Sequence, residues 1–255
     1  MQIVDFITDK NAITFILLFS RISGFFAFAP FLSHSNISVS IKTALALYLT
    51  ILFFPVASLS HIDLNSANLL IMILSELSIG FIAGFLLNLA FSALSFAGNQ
   101  ISMVMGFSMA TVFDPLSGTN SPLVSQILTL LAVLFFLAFD GHHLIFIYLS
   151  KTIYHIDLGG FYPQKQILEF AINGVATMFK MGLVLAFPII ALSLLSDIIF
   201  GMLMKTMPQF NLLVVGFPIK IFLSILVLIS ILGSMMLLFK NDFIKQFEIL
   251  KFFLQ

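Results

Sequence analysis

Cysteine is absent from the 255 residues, which excludes disulfides, thiolate metal sites and cysteine nucleophiles. Charge is nearly as scarce. Charged residues make up 9% of the chain, against about a quarter in a soluble domain. The eleven basic and eleven acidic side chains cancel, and no basic patch interleaved with aromatics appears, so nucleic acid and acidic polymers are not expected partners. No GxSxG, Walker loop or dinucleotide fingerprint occurs, so no enzyme activity and no cofactor are expected. The opening stretch MQIVDFITDKNAITF carries two acids before its first apolar run. It lacks a basic region followed by a small-residue cleavage site, so the first apolar segment is expected to stay in the mature protein.

What is present is hydrophobic: 60% of the residues are apolar, phenylalanine alone numbering 32. Apolar runs cover about Ala12 to Leu32, Thr43 to Leu59, Leu69 to Ala97, Leu123 to Leu149, Ala171 to Leu195 and Leu212 to Phe239. Each approaches or exceeds the roughly 20 residues of a spanning helix. The expected class is all-α, a polytopic membrane-associated protein of about six helical segments. Turn chemistry separates the runs, at His34-Ser35-Asn36 after Pro30, at Ser60 to Asn68, at Asp157 to Gly160 and at Pro208 to Asn211. No second soluble domain is expected, so residues 1–255 are read as one domain. With six crossings both termini share a side holding Lys10, Lys151, Lys165, Lys240, Lys245 and Lys251, against Lys42 and Lys205 opposite. That excess predicts cytoplasmic termini.

Several charges fall inside the runs: Arg21 in the first, Glu76 in the third, Lys180 in the fifth and Lys220 in the sixth, while Pro188 is expected to interrupt the fifth. A charge at mid-bilayer costs about 2.5–3.5 kcal/mol even on the lenient insertion scale, so each is expected to face protein or water. Lys180 and Lys220 have the alternative of reaching an interface by snorkelling. Arg21 and Glu76 are the stronger interior candidates, and whether they pair stays open at this point. Gly80 and Gly84 form a GxxxG pattern, continued by Ala90, Ala93 and Ala97. Such small residues let helix backbones approach closely, within the chain or between chains.

Two stretches carry candidate chemistry. Asp140-Gly141-His142-His143 is the only cluster resembling a metal or acid–base site. Adjacent histidines on a helix diverge by about 100°, unlike the i, i+4 pair of an HExxH site, so no metal site is expected, although Asp140 and His143 can meet at i, i+3. The second is GFSMATVFDPLSGTNSP, residues 106–122, small and polar between two very apolar runs. Asp114-Pro115 reads as a turn. Met103, Met105 and Met109 lead into the stretch, and thioethers are flexible enough to seal against varied shapes.

Five stretches spread over most of the chain stand out together: RISGFFAFAP (21–30), the Glu76…Gly80…Gly84 run ending in Gly98, MGFSMATVFDP (105–115), LFFLAFDGHHLI (134–145) and GMLMKTMPQFNLLVVGFPIKI (201–221). In these the chain resembles the FliR/SctT export-apparatus family shared by flagella and type III secretion systems. The last two phrases contain Asp140, Gly141, His142, Pro208, Asn211 and Pro218. Phe113-Asp114-Pro115 and the Asp140 phrase favour the flagellar branch over its virulence relatives. Lys205 departs from the arginine expected there and gives up a planar bidentate contact.

The resemblance implies helical hairpins packed into a larger export-gate assembly in the bacterial inner membrane, at the flagellar basal body. One copy of this chain would join five FliP-like and four FliQ-like subunits, with an FlhB-like subunit and unfolded flagellar export substrates as further partners, besides lipid. It also implies that the loop at about 106–122 plugs the channel through Gly106, Phe107, Met109, Val112, Phe113, Asp114, Pro115 and Gly118. Arg21, Glu76, Lys180, Lys205 and Lys220 would then be buried or interface charges, and Gly80, Gly84 and Gly98 helix-packing positions. A secondary transporter with broken helices is the competing reading, and a membrane hydrolase using His142 and His143 is a third.

Overall fold

The computed structural model describes residues 9–29, 38–57, 66–107, 122–160, 165–207 and 212–252, and these are almost wholly helical. The helices among these residues are α1 (Asp9–Phe28), α2 (Val39–Phe53), α3 (Ser66–Met105), α4 (Leu123–Ala138), α5 (Gly141–His155), α6 (Lys165–Thr206) and α7 (Phe217–Phe252). A 3₁₀ turn, Phe54–Val56, follows α2, and a π-type turn, Leu212–Gly216, leads into α7.

Local chemistry explains most of the boundaries. α1 ends just before Pro30, which drives the preceding residue out of helical geometry. Pro55 converts the end of α2 into the 3₁₀ turn. α3 stops at Gly106, whose φ of +88° is left-handed. There the amide of Gly106 donates to the carbonyl of Met103 at 3.2 Å and that of Phe107 to the carbonyl of Ser102 at 3.1 Å. That pair of bonds is a Schellman stop, built where only glycine is free of Cβ strain.

Three helices are much longer than their apolar runs suggest. α3 has 40 residues, α6 has 42 and α7 has 36; at about 1.5 Å per residue each approaches twice a bilayer's ~30 Å hydrocarbon core. Asn99, Gln100 and Ser102 end the apolar run of α3 but break no backbone bond, so the helix continues to Gly106. Among the described residues five helices are long and apolar enough to cross a membrane, and the α4–α5 pair makes a sixth candidate if read as one broken span.

Two expectations about breaks are corrected. α6 runs unbroken through Pro188: the ring removes one N–H bond, and the remaining bonds of a long apolar helix, where water cannot compete, carry the segment through. The fourth run breaks instead, at Phe139-Asp140, where Asp140 takes φ 58° and is the only described non-glycine residue with positive φ. Aspartate tolerates that region better than any apolar neighbour does.

The chain divides into two compact units: residues 1–89, 137–174 and 243–255, and residues 90–136 and 175–242. In the first, α1 buries Leu18, Ile22, Phe25 and Phe26, the i, i+3, i+4 spacing of a core-facing stripe. Phe25 meets Tyr148 of α5, which meets Phe247 near the end of α7, at ring separations of 6.5 and 6.3 Å. In the second, Phe91 of α3 packs edge-on against Phe136 of α4 and Phe239 of α7, at 5.6 and 4.8 Å.

Candidate functional site: two ion pairs and the feet of a polar segment

Glycines set the first site by letting α1 and α3 approach within the first unit. A Cβ on Gly24 would lie 2.7 Å from the Leu77 carbonyl, one on Gly84 2.6 Å from that of Phe25, and one on Gly80 would run into the Arg21 carbonyl. The GxxxG face is thus filled by this chain's own α1. Gly98 plays the same part in the second unit, against the backbone of Ser125.

That close approach brings Arg21 and Glu76 together, 1% and 0% exposed. Nε of Arg21 donates to Oε2 of Glu76 at 2.5 Å and Nη2 to Oε1 at 3.0 Å. Nη1 donates to the carbonyls of Thr152 at 2.7 Å and Ile156 at 3.2 Å, and Nη2 also reaches Ile156 at 3.2 Å. All five guanidinium N–H groups are thereby used. The two carbonyls belong to the C-terminal end of α5, where the helix dipole favours a cation; that of Thr152 is shared with the Ile156 amide, which donates to it at 3.1 Å. Oε1 of Glu76 additionally accepts the Gly159 amide at 2.6 Å. Gly159 has φ +80°, and a side chain there would strike Met72. One ion pair therefore joins α1, α3, the end of α5 and the turn after it, with its charges satisfied as burial requires.

The second unit has its own pair. Lys220, 6% exposed, donates from Nζ to both carboxylate oxygens of Asp197 at 2.7 and 2.9 Å. The Lys220 side chain is 8% exposed but that of Asp197 is 55% exposed. Lys220 is accordingly paired across α6 and α7, as an interior charge rather than a snorkelling one, while Pro218 occupies the first turn of α7, where a missing N–H is tolerated. Asp197 was missed by the sequence reading, although a lone carboxylate in SLLSDIIF carries the same signal as Glu76. Lys180 and Lys205 are exposed on the single chain, so the burial expected of them does not occur within it.

The polar segment after α3 has two fixed ends. Its first is the Gly106 stop. Its second is the start of α4, where the Val124 amide donates to Oγ of Ser102 at 3.2 Å, satisfying one of the helix's orphan donors. Ser102 therefore accepts from both sides: its carbonyl from Phe107 and its hydroxyl from Val124. Ser125 strengthens the join by donating to the Ser95 carbonyl at 3.0 Å, and Ser193 of α6 donates to the Val104 carbonyl at 2.9 Å in the last turn of α3. The sequence-predicted Met109, Val112, Phe113, Asp114, Pro115 and Gly118 lie outside the described residues, as do Pro208 and Asn211.

At the α4–α5 break, Asp140 and His143 come together, Oδ1 to Nδ1 at 3.3 Å. Contrary to the expectation from helical spacing, His142 joins them: one ligand atom from each residue lies within 4.8 Å of the others. The reason is that Asp140 is not helical, so its side chain does not follow the 100° step. Gly141 starts α5 and is buried.

Comparison with known proteins places this architecture. Residues 12–245 match the family described as Bacterial export proteins, family 1. The flagellar biosynthetic protein FliR of Pectobacterium carotovorum is 33% identical over 214 residues, covering 82% of this chain and 80% of that protein. The protein of the same name from Escherichia coli K12 is 31% identical over 216 residues, covering 85% and 81%. That of Bacillus subtilis 168 is 28% identical over 232 residues, covering 90% of each. With the match running from α1 into α7, the chain belongs to the bacterial export protein family 1.

Proposed function

We propose that this chain is a core subunit of the flagellar type III export gate, and that it helps form and plug the channel through which unfolded flagellar subunits leave the cytoplasm. The observation that carries the reading is the kinship with FliR proteins along nearly the whole chain. It is a membrane protein of the flagellar export apparatus and works there with other export components. Five FliP-like and four FliQ-like subunits and an FlhB-like subunit are the partners we assign to one copy, in the inner membrane with cytoplasmic termini. The chain acts as one export-gate domain, residues 1–255.

Its work is gating rather than chemistry. The pinned ends at Gly106 and Val124 support a plug role for the segment between them, because a stopper needs fixed attachments. Met109, Val112 and Phe113 supply the apolar contact that closes a pore against ions. Secreted chains displace them. Replacing residues 108–121 by a shorter Gly/Ser linker is expected to leave assembly intact and make the closed gate leak ions, measured as conductance of membranes holding the complete complex. Unchanged conductance with a normal complex yield rejects the plug.

A further inference from the structure

Asp140, His142 and His143 have chemistry that gating leaves unused. They sit in the first unit, where the left-handed Asp140 turns the chain into the first turn of α5. The imidazole rings of His142 and His143 lie 4.2 Å apart between centroids. The Nδ1 atom of His142 is shut off from solvent and has no hydrogen-bond partner. A buried imidazole nitrogen in that state is costly, and a Lewis acid bound at Nδ1 itself removes the cost. The carboxylate of Asp140, at the N-cap position, makes no capping bond to the helix and so stays available as a ligand.

We propose that these three side chains bind one divalent transition cation of the Zn²⁺ class per chain. Two neutral imidazoles and a carboxylate are the donors such ions take, whereas Mg²⁺ and Ca²⁺ call for oxygen throughout. Geometry agrees on one edge of the site. Two ligands held about 2.0–2.1 Å from a tetrahedral zinc are about 3.3 Å apart, and Nδ1 of His143 is already 3.3 Å from Oδ1 of Asp140. The remaining ligand atoms, within 4.8 Å, close by side-chain rotation, which is open to Asp140 and His143 because they are 73% and 65% exposed. The start of α5 is the helix end that repels cations, and the Asp140 carboxylate offsets it. A fourth position is left to water. Bound metal would tie the Asp140 turn to the first turn of α5 and fix the His142 ring.

The test uses the full chain purified in mild detergent without a polyhistidine tag. Calorimetric titration with ZnCl₂ is expected to show one saturable site. His142→Ala and His143→Ala should each weaken it by at least the roughly tenfold that loss of even an outer-shell partner costs, while His155→Ala, away from the cluster, leaves it unchanged. Titration with Co²⁺ is expected to give the intense visible bands of a tetrahedral N/O site. Absence of one-to-one binding, or equal binding by a double His142→Ala/His143→Ala variant with wild-type helical content, overturns the proposal. Should the variants fail to fold, a pale octahedral Co²⁺ spectrum on the unaltered chain overturns it.

Discussion

The two cations buried among the described residues solve the same problem differently. Arg21 spends every donor inside the first unit, and its partner Glu76 is as deeply enclosed as it is. Lys220 is enclosed too, but its partner Asp197 shows more than half its side chain. The first pair is a closed fastening of helices; the second keeps a carboxylate facing outward from α6, among exposed Leu194, Ile198 and Met202. A closed pair serves the fold alone, while an open one has lone pairs to offer a neighbour.

Breaking the closed pair should have the largest effect. Glu76→Ala leaves Arg21 charged and unpaired, and is expected to cost about 3–5 kcal/mol, read as denaturant or thermal unfolding in detergent and as lost complex yield. An Arg21→Met/Glu76→Leu double variant should recover much of that loss, since neither charge then remains buried. Normal yield of Glu76→Ala with blocked export would instead move Glu76 into the conduit. Asp197→Ala is expected to cost the isolated chain about 1.5–3 kcal/mol, the value of a hydrogen bond to a charged group, because the Asp197 carboxylate is already half in water while the enclosed Lys220 loses its partner. Its effect on recovered complex should exceed its effect on chain stability, and equal losses in both assays would count against the outward role. Smallest is Ser102→Ala, expected to cost about 1 kcal/mol as a lost cap; a thermal shift in line with that, with both ion pairs undisturbed, is the check.

Legibility in the sequence followed the same divide. Arg21 and Glu76 stood out because a charge in an apolar run is costly, and the cost is visible without a structure. Their pairing was not visible: 55 residues separate them, and the carbonyls of Thr152 and Ile156 that complete the arginine's shell are main-chain atoms with no sequence signature. Asp197 carried the same local signal and was passed over, and its pairing with Lys220 across another helix was no more visible than that of Glu76 with Arg21. The break between helices was misplaced for a related reason. Proline is the strongest breaker in isolation, yet Pro188 stays within α6, while Asp140 redirects the chain through a left-handed backbone angle that aspartate tolerates but does not announce. Lys180 and Lys205 show the limit of the charge rule, because a long helix can hold a lysine on a face that its own chain leaves uncovered. The helical class, by contrast, was plain from composition.

The join at Ser102 has a consequence for engineering. With the end of α3 and the start of α4 stitched across one residue, the length of what lies between is uncoupled from the register of both helices. Loop-closure entropy grows slowly with chain length, by about 0.6 kcal/mol for each doubling. Residues 108–121 are therefore the place to graft a fluorophore-binding tag or a protease site, turning the chain into a reporter of traffic through the complex without rewriting its scaffold.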